Sequence, residues 1–199
     1  MPLKAEAWFP SLIWSGLLDN THNDKIKKFA YERKEQDEGV ELSNYIGWQS
    51  SSVRQGDNET FDRLVESITS NVEDCRNLVE LPELQLYNIW ININTPGAYN
   101  ALHNHPGSVL SGVYYVESTE EQGNIFFERG DNAEYFLPPV KQTNYFNGTA
   151  TSYKAITGAM YVFPSWLKHS VQPNKTDKDR ISISFNYGVK KWESNRILN

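Results

Sequence analysis

Three of the four histidines in this 199-residue chain lie where their rings could meet. His103 and His105 stand in His103-Asn104-His105-Pro106, and His169 follows in Trp166-Leu167-Lys168-His169-Ser170. On a β-strand, residues i and i+2 face the same way at a rise of roughly 3.3 Å per residue, so the imidazoles of His103 and His105 can converge on one point. A later histidine would complete a metal clip. Three neutral imidazoles suit iron, zinc, copper or nickel, at distances of roughly 2.0–2.1 Å for zinc. The competing reading is a solvated strand face with two ordinary surface histidines. His22, the fourth, lies in a polar stretch before a charged run and reads as a surface residue.

The elements that must carry these side chains change character near Pro82. Before it, Trp8 to Ser15 reads as a short aromatic strand interrupted by Pro10, hence an edge strand lying against the main sheet. Asn23 to Gln36 is a charged surface helix with Ile26, Phe29 and Ala30 as its apolar stripe. Gly39 to Gly56 is a polar loop with at most one short strand. Glu59 to Leu78 is the strongest helix, with Asp57 or Asn58 as its N-cap and Phe61, Leu64, Val65, Ile68, Val72 and Cys75 on one face. Cys75 on that stripe reads as a small buried hydrophobe rather than a reactive thiol.

After Pro82 the pattern is β. From Leu84 onward Tyr87, Ile89, Ile91 and Ile93 take one face, while Leu86, Asn88, Trp90, Asn92 and Asn94 take the other. The second face is polar enough to be solvated or to wall a pocket. Strands follow near 109–116, 124–128, 152–156, 159–163, His169 and 181–187, broken by Gly and Pro turns. Residues 129–149 form a long irregular stretch of the kind that lies over a site as a lid. About eight short strands without intervening helices predict a mainly β fold with flanking helices. The architecture expected is a double-stranded β-helix, or jelly roll, with two N-terminal helices packed on one face. The whole chain, 1–199, is read as one domain, with strand and helices in 1–82 and the jelly-roll core in 83–190.

Composition narrows the partners. A net charge of −6 without clustered Lys and Arg argues against duplex nucleic acid, leaving a small-molecule or protein substrate. One cysteine excludes an intramolecular disulfide and any cysteine-rich metal site. The start lacks the apolar core of a signal peptide, and no apolar run approaches the roughly 18 residues needed to span a membrane. A cytoplasmic protein is therefore expected, with an aromatic N-terminal strand suited to pairing across a homodimer.

The motifs also carry a family likeness. Gly97 followed by His103-x-His105, and Gly158 to Pro164 followed by His169, resemble the two cupin motifs, although the glutamate expected after His-x-His is replaced by the run Pro106 to Leu110. The closer resemblance is to the 2-oxoglutarate/iron(II) oxygenase superfamily, and within it to a little-characterised family of oxygenases. It rests on Trp90-x-Asn92, on His103-x-His105-Pro106 leading through Ser108 and Ser111-Gly112 to Val113-Tyr114-Tyr115-Val116, on Gly158 to Pro164 with Trp166-Leu167-x-His169, and on Arg180 to Asn186. These blocks cover about residues 88 to 188.

The resemblance implies an iron(II) enzyme that couples decarboxylation of 2-oxoglutarate to oxidation of a second substrate, usually by hydroxylation. Arg180, eleven positions after His169, then occupies the place of the residue that reads the 5-carboxylate. Its guanidinium fork, with the Ser182 hydroxyl on the same strand face, can hold a carboxylate bidentately as Lys would not. Otherwise Arg180 is a surface arginine ending a strand. Asn92, Tyr114 and Ser184 could hydrogen-bond cosubstrate or substrate, or be satisfied core groups; Tyr115 reads as packing. His105 stands where the superfamily has Asp or Glu. The metal therefore has three histidine ligands, or takes a carboxylate from elsewhere, with Glu128 nearest and Asp131 behind it. Two rival functions remain at this level: a three-histidine cupin-type metalloenzyme without 2-oxoglutarate, and a non-catalytic jelly-roll binding or assembly protein.

Overall fold

The computed structural model describes residues 3–4, 6–131 and 138–190. Two helices form as the apolar spacing dictates. Helix α1 spans Asn23–Gln36 and buries Ile26, Phe29 and Ala30. Helix α2 spans Glu59–Leu78; the Asn58 side chain accepts a hydrogen bond from the Phe61 N–H at 3.0 Å, satisfying one of the free N–H groups of the first turn. Phe61, Leu64, Ile68, Val72 and Cys75 are buried on its inner face.

Eleven strands are present among the described residues: β1 (Trp14–Leu17), β2 (Asn44–Tyr45), β3 (Trp48–Gln49), β4 (Leu84–Asn94), β5 (Tyr99–His103), β6 (Leu110–Glu117), β7 (Ile125–Glu128), β8 (Ala150–Tyr153), β9 (Ala159–Pro164), β10 (His169–Val171) and β11 (Arg180–Val189). They pair antiparallel in two sheets, ordered β1-β9-β6-β11-β4-β3 and β2-β5-β10-β7-β8. This is the expected jelly roll with its two helices on one face. The expected edge strand is β1, beginning at Trp14 rather than Trp8. The loop after α1 contributes β2 and β3, one to each sheet, so the N-terminal part is woven into both.

Strand alternation divides the six-stranded sheet into two surfaces. Ile89, Ile91, Ile93, Tyr114, Val116, Ile181, Ile183 and Phe185 face the helices and form one core cluster with them. Val113, Tyr115, Tyr161 and Phe163 face the second sheet and pack with Ile125, Phe127 and Leu167. Gly112 lets the sheet close on the first cluster, since a Cβ there would overlap the Phe185 ring. No helix among the described residues is long and apolar enough to cross a membrane. Of the stretch expected to act as a lid, residues 132–137 lie outside the described residues, and 138–149 form an exposed, turn-rich loop.

Candidate metal centre and its cavity

The three histidines come together at one end of the space between the sheets. Their ligand nitrogens all lie within 4.8 Å of one another, and the cluster contains no carboxylate among the described residues. The ring centroids are 5.0 Å apart for His103 and His105, 4.3 Å for His103 and His169, and 5.1 Å for His105 and His169.

The means of convergence differs from the strand alternation expected of His-x-His. His103 is the last residue of β5, while His105 lies beyond the strand in the turn through Pro106 and Gly107. Register places His169 opposite His103 but Val171 opposite Asn100, so β5 carries one extra residue at Ala101-Leu102. This β-bulge brings Asn100 and His103, three apart, onto the same face. His105 is fixed separately: its N–H donates to the Ser165 carbonyl at 2.9 Å. Ser165 is buried and tied through its hydroxyl to Ser111 at 2.7 Å, and Ser111 donates to Asn186 Oδ1 at 2.6 Å.

The ring tautomers follow from the backbone. His103 Nδ1 lies 2.7 Å from the Ala101 carbonyl and His169 Nδ1 lies 3.0 Å from that of Leu167. Each Nδ1–H therefore donates, leaving the Nε2 lone pair free for a metal. Burial, with smaller contributions from the neighbouring imidazoles, pushes His105 down to about 4 and His169 down to about 3. Burial also lowers His103, against the opposing hydrogen bond to Ala101. All three rings are thus neutral and ligand-competent at neutral pH.

A cavity connects this cluster to Arg180. Trp90, Asn92, Asn94, Tyr115, Ser182 and Ser184 line it from the six-stranded sheet. Register aligns Ser182 with Asn92 on one side and Tyr115 on the other, and Arg180 with Asn94. Arg180 is 1 % exposed, so it is no surface residue. Its Nη1 donates to the carbonyls of Gln122 and Gln172, while Nη2 is buried without a partner. Gln122 belongs to a short 3-10 turn, 120–122, held by reciprocal Thr119 and Gln122 capping bonds.

Two more buried polar atoms on the cavity wall have no partner: the Tyr115 hydroxyl and Asn92 Oδ1. The Asn92 amide nitrogen donates to Ser184 Oγ at 3.0 Å. Burial raises the Tyr115 phenol strongly, keeping it a protonated donor. Unsatisfied buried polar groups are rare in folded proteins, and three of them stand on this one cavity wall.

Tyr114 does not join them. It faces the helices, where its hydroxyl donates to Asn23 Oδ1 at 2.8 Å. Its expected place belongs to Tyr115, because β6 is buried on both faces and its sequence lacks the polar–apolar alternation that would show which tyrosine points inward. Glu128 follows Phe127, which stands beside His169 across β7 and β10 and packs between the sheets. Alternation sends Glu128 to the outer face. Asp131 is exposed and pairs with Arg129 at 2.5 Å.

With this geometry in hand, comparison with known proteins is informative. Residues 88–186, about half the chain, match the family described as "Putative 2OG-Fe(II) oxygenase". A comparison with curated proteins gives no match. Similar solved structures include a Pseudomonas putida prolyl-4-hydroxylase, at 14 % identity, TM-score 0.68, and coverage of 91 % of this chain and 94 % of that one. The epimerase SnoN from nogalamycin biosynthesis gives 16 % identity, TM-score 0.68, and coverage of 90 % and 79 %. HygX from Streptomyces hygroscopicus, solved with nickel and 2-oxoglutarate bound, gives 14 % identity, TM-score 0.63, and coverage of 91 % and 83 %. At these identities the likeness is one of fold.

Proposed function

Because the chain belongs to the 2OG-Fe(II) oxygenase family, we propose that it binds iron(II) through His103, His105 and His169, binds 2-oxoglutarate against Arg180, and couples loss of carbon dioxide from the keto acid to oxidation, in the simplest case hydroxylation, of a second substrate. The observation that carries this reading is Arg180, a buried cation with an unpartnered Nη2 in the same cavity as three neutral imidazoles. A buried charge without a counter-ion is costly, and a carboxylate placed there removes the cost through charge-assisted hydrogen bonds.

The residues fit the two groups. The Nε2 lone pairs of His103 and His169 with one ring nitrogen of His105 form a donor set suited to iron(II), and the Nδ1 bonds of His103 and His169 hold two of the rings in the required tautomer. When bound, iron(II) with 2-oxoglutarate supplies the activation of dioxygen, with succinate and carbon dioxide as co-products. Arg180 Nη2 and the Tyr115 hydroxyl donate to the far carboxylate, with Ser182 beside them on the same face. Asn92 becomes a third donor if its amide is turned over: Ser184 then donates to Oδ1, and Nδ2 faces the cavity. Trp90 and Phe163 bring apolar surface to the same cavity and limit water near the metal.

The substrate falls in the small-molecule or peptide class. The similar structures are of a prolyl-4-hydroxylase, of an epimerase from nogalamycin biosynthesis and of HygX with hygromycin B bound. Anaerobic titration with iron(II) and 2-oxoglutarate tests the proposal. Wild type develops the metal-to-ligand charge-transfer band of a chelated keto acid; His169→Ala and Arg180→Ala do not at the same ligand concentration. No band in wild type, or an intact band in both variants, refutes it. A metalloenzyme without 2-oxoglutarate would bind metal, give no band, and be indifferent to Arg180→Ala.

A further inference from the structure

The three rings of the cluster are not held alike. His103 and His169 each anchor their own Nδ1 on a backbone carbonyl, the usual way a ligand ring is aimed. His105 is placed through its main chain instead. Its N–H donates to the Ser165 carbonyl at 2.9 Å, and the Ser165 N–H donates to the Val109 carbonyl at 3.0 Å. One residue thus clamps both ends of the turn from His105 to Val109. The direction of the His105 ring is only as firm as Ser165.

A row of polar side chains leads to that clamp. Register sets Trp90, Ser184 and Val113 side by side on β4, β11 and β6, and all three line the cavity. Two residues along the same strands, hence on the same face, stand Asn88, Asn186 and Ser111, again in register. Ser111, Asn186 and Ser165 are buried, while Asn88 lies at the surface. Their hydrogen bonds run one way. Ser111 gives its single hydroxyl hydrogen to Asn186 Oδ1 at 2.6 Å, so the 2.7 Å contact with Ser165 is a donation from Ser165 to Ser111. The Asn186 amide then donates to Asn88 Oδ1 at 2.8 Å. Apolar side chains would fill this row without the cost of desolvating hydroxyls and amides, so what the row supplies is direction.

We propose that Ser165, Ser111 and Asn186 are positioning residues for His105. Together they fix the turn that carries it, so that its ring meets the point set by His103 and His169. This rests on the metal-binding part of the oxygenase reading and is independent of 2-oxoglutarate.

The test titrates the metal-free protein with cobalt(II) in the absence of oxygen, following the visible d–d absorption of the folded fraction. Wild type is expected to bind. Ser111→Ala, which strips Ser165 of its acceptor and Asn186 of its donor, should bind about ten- to a hundredfold more weakly. In a His105→Ala background the same change should matter by less than about twofold, because the ligand it serves is gone. Asn186→Ala should repeat the loss, and Asn186→Asp, which keeps the acceptor for Ser111, should recover it. The proposal is overturned by wild-type affinity in Ser111→Ala, by an equal loss with and without His105, or by Asn186→Asp binding as weakly as Asn186→Ala. If Ser111→Ala does not fold, Ser165→Ala takes its place. If His105→Ala binds too weakly to titrate, the spectrum of cobalt-loaded Ser111→Ala decides: a changed spectrum supports a displaced ligand, and the wild-type spectrum overturns it. Failure of wild type to bind cobalt(II) removes the metal reading and this inference together, whereas normal wild-type binding with indifference to Ser111 removes only the inference.

Discussion

The two faces of the six-stranded sheet are built from alternate residues of the same strands, yet they differ in kind. On β4 and β11 the face toward the helices carries Ile89, Ile91, Ile93, Ile181, Ile183 and Phe185, all buried in one apolar cluster. The face toward the second sheet carries Trp90, Asn92, Asn94, Arg180, Ser182 and Ser184, and on it Asn92 and Arg180 each leave a buried polar atom without a partner. One surface gains stability by excluding water. The other gives some up to hold buried polar groups that lack a protein partner. The lesson is that a period-two pattern lets a single strand serve both needs without either intruding on the other.

Substitutions on each face should therefore fail in different measurements. The largest effect is expected from Phe185→Ala, which empties the space over Gly112 and should cost about 3–5 kcal/mol of stability in urea denaturation, while the folded fraction still forms the keto-acid band. A band lost in proportion beyond unfolding would show that the faces are coupled. Arg180→Ala should weaken 2-oxoglutarate on the order of a hundredfold, about 3 kcal/mol, by isothermal titration, and Arg180→Lys should recover little of it.

A smaller effect concerns acid. In the metal-free protein His105 and His169 stay neutral until about pH 4 and 3, whereas in the unfolded chain they take up protons below about 6.5. The unfolded chain holds more protons in that window, so stability present at neutral pH is lost as the pH falls, by about 1.4 kcal/mol per pH unit for each ring. His169→Gln should flatten the slope of unfolding free energy against pH by about that amount; equal slopes in wild type and variant would contradict the assignment. The smallest expected effect is from Tyr115→Phe. Removing a buried hydroxyl without a partner should raise the stability of the empty protein by about 1 kcal/mol while weakening 2-oxoglutarate about tenfold. Loss of stability instead would mean that the hydroxyl is satisfied in the empty protein.

Much of this division was readable before the fold was known. The polar Asn88-to-Asn94 face of β4 stood out against its isoleucines, α2 announced itself by its stripe and cap, and the order of His103, His105, His169 and Arg180 pointed to one centre. What escaped was whatever depends on register rather than period. Tyr114 and Tyr115 could not be distinguished because β6 is buried on both sides. The short β2 and β3 were hidden in a polar loop because two residues carry no period. Ser43 is an ordinary serine until the chain brings it back beside His103.

The bulge at Ala101-Leu102 carries a consequence for how this centre could change over time. Because the bulge absorbs one extra residue, deleting Ala101 or Leu102 would leave Asn100 and His103 two apart on a regular strand, on the same face as before, with His103 still opposite His169. In a strand without a bulge, the same single deletion would turn the imidazole to the opposite face. Related sequences can thus lack the bulged residue between Tyr99 and His103 and still aim this histidine at the same point.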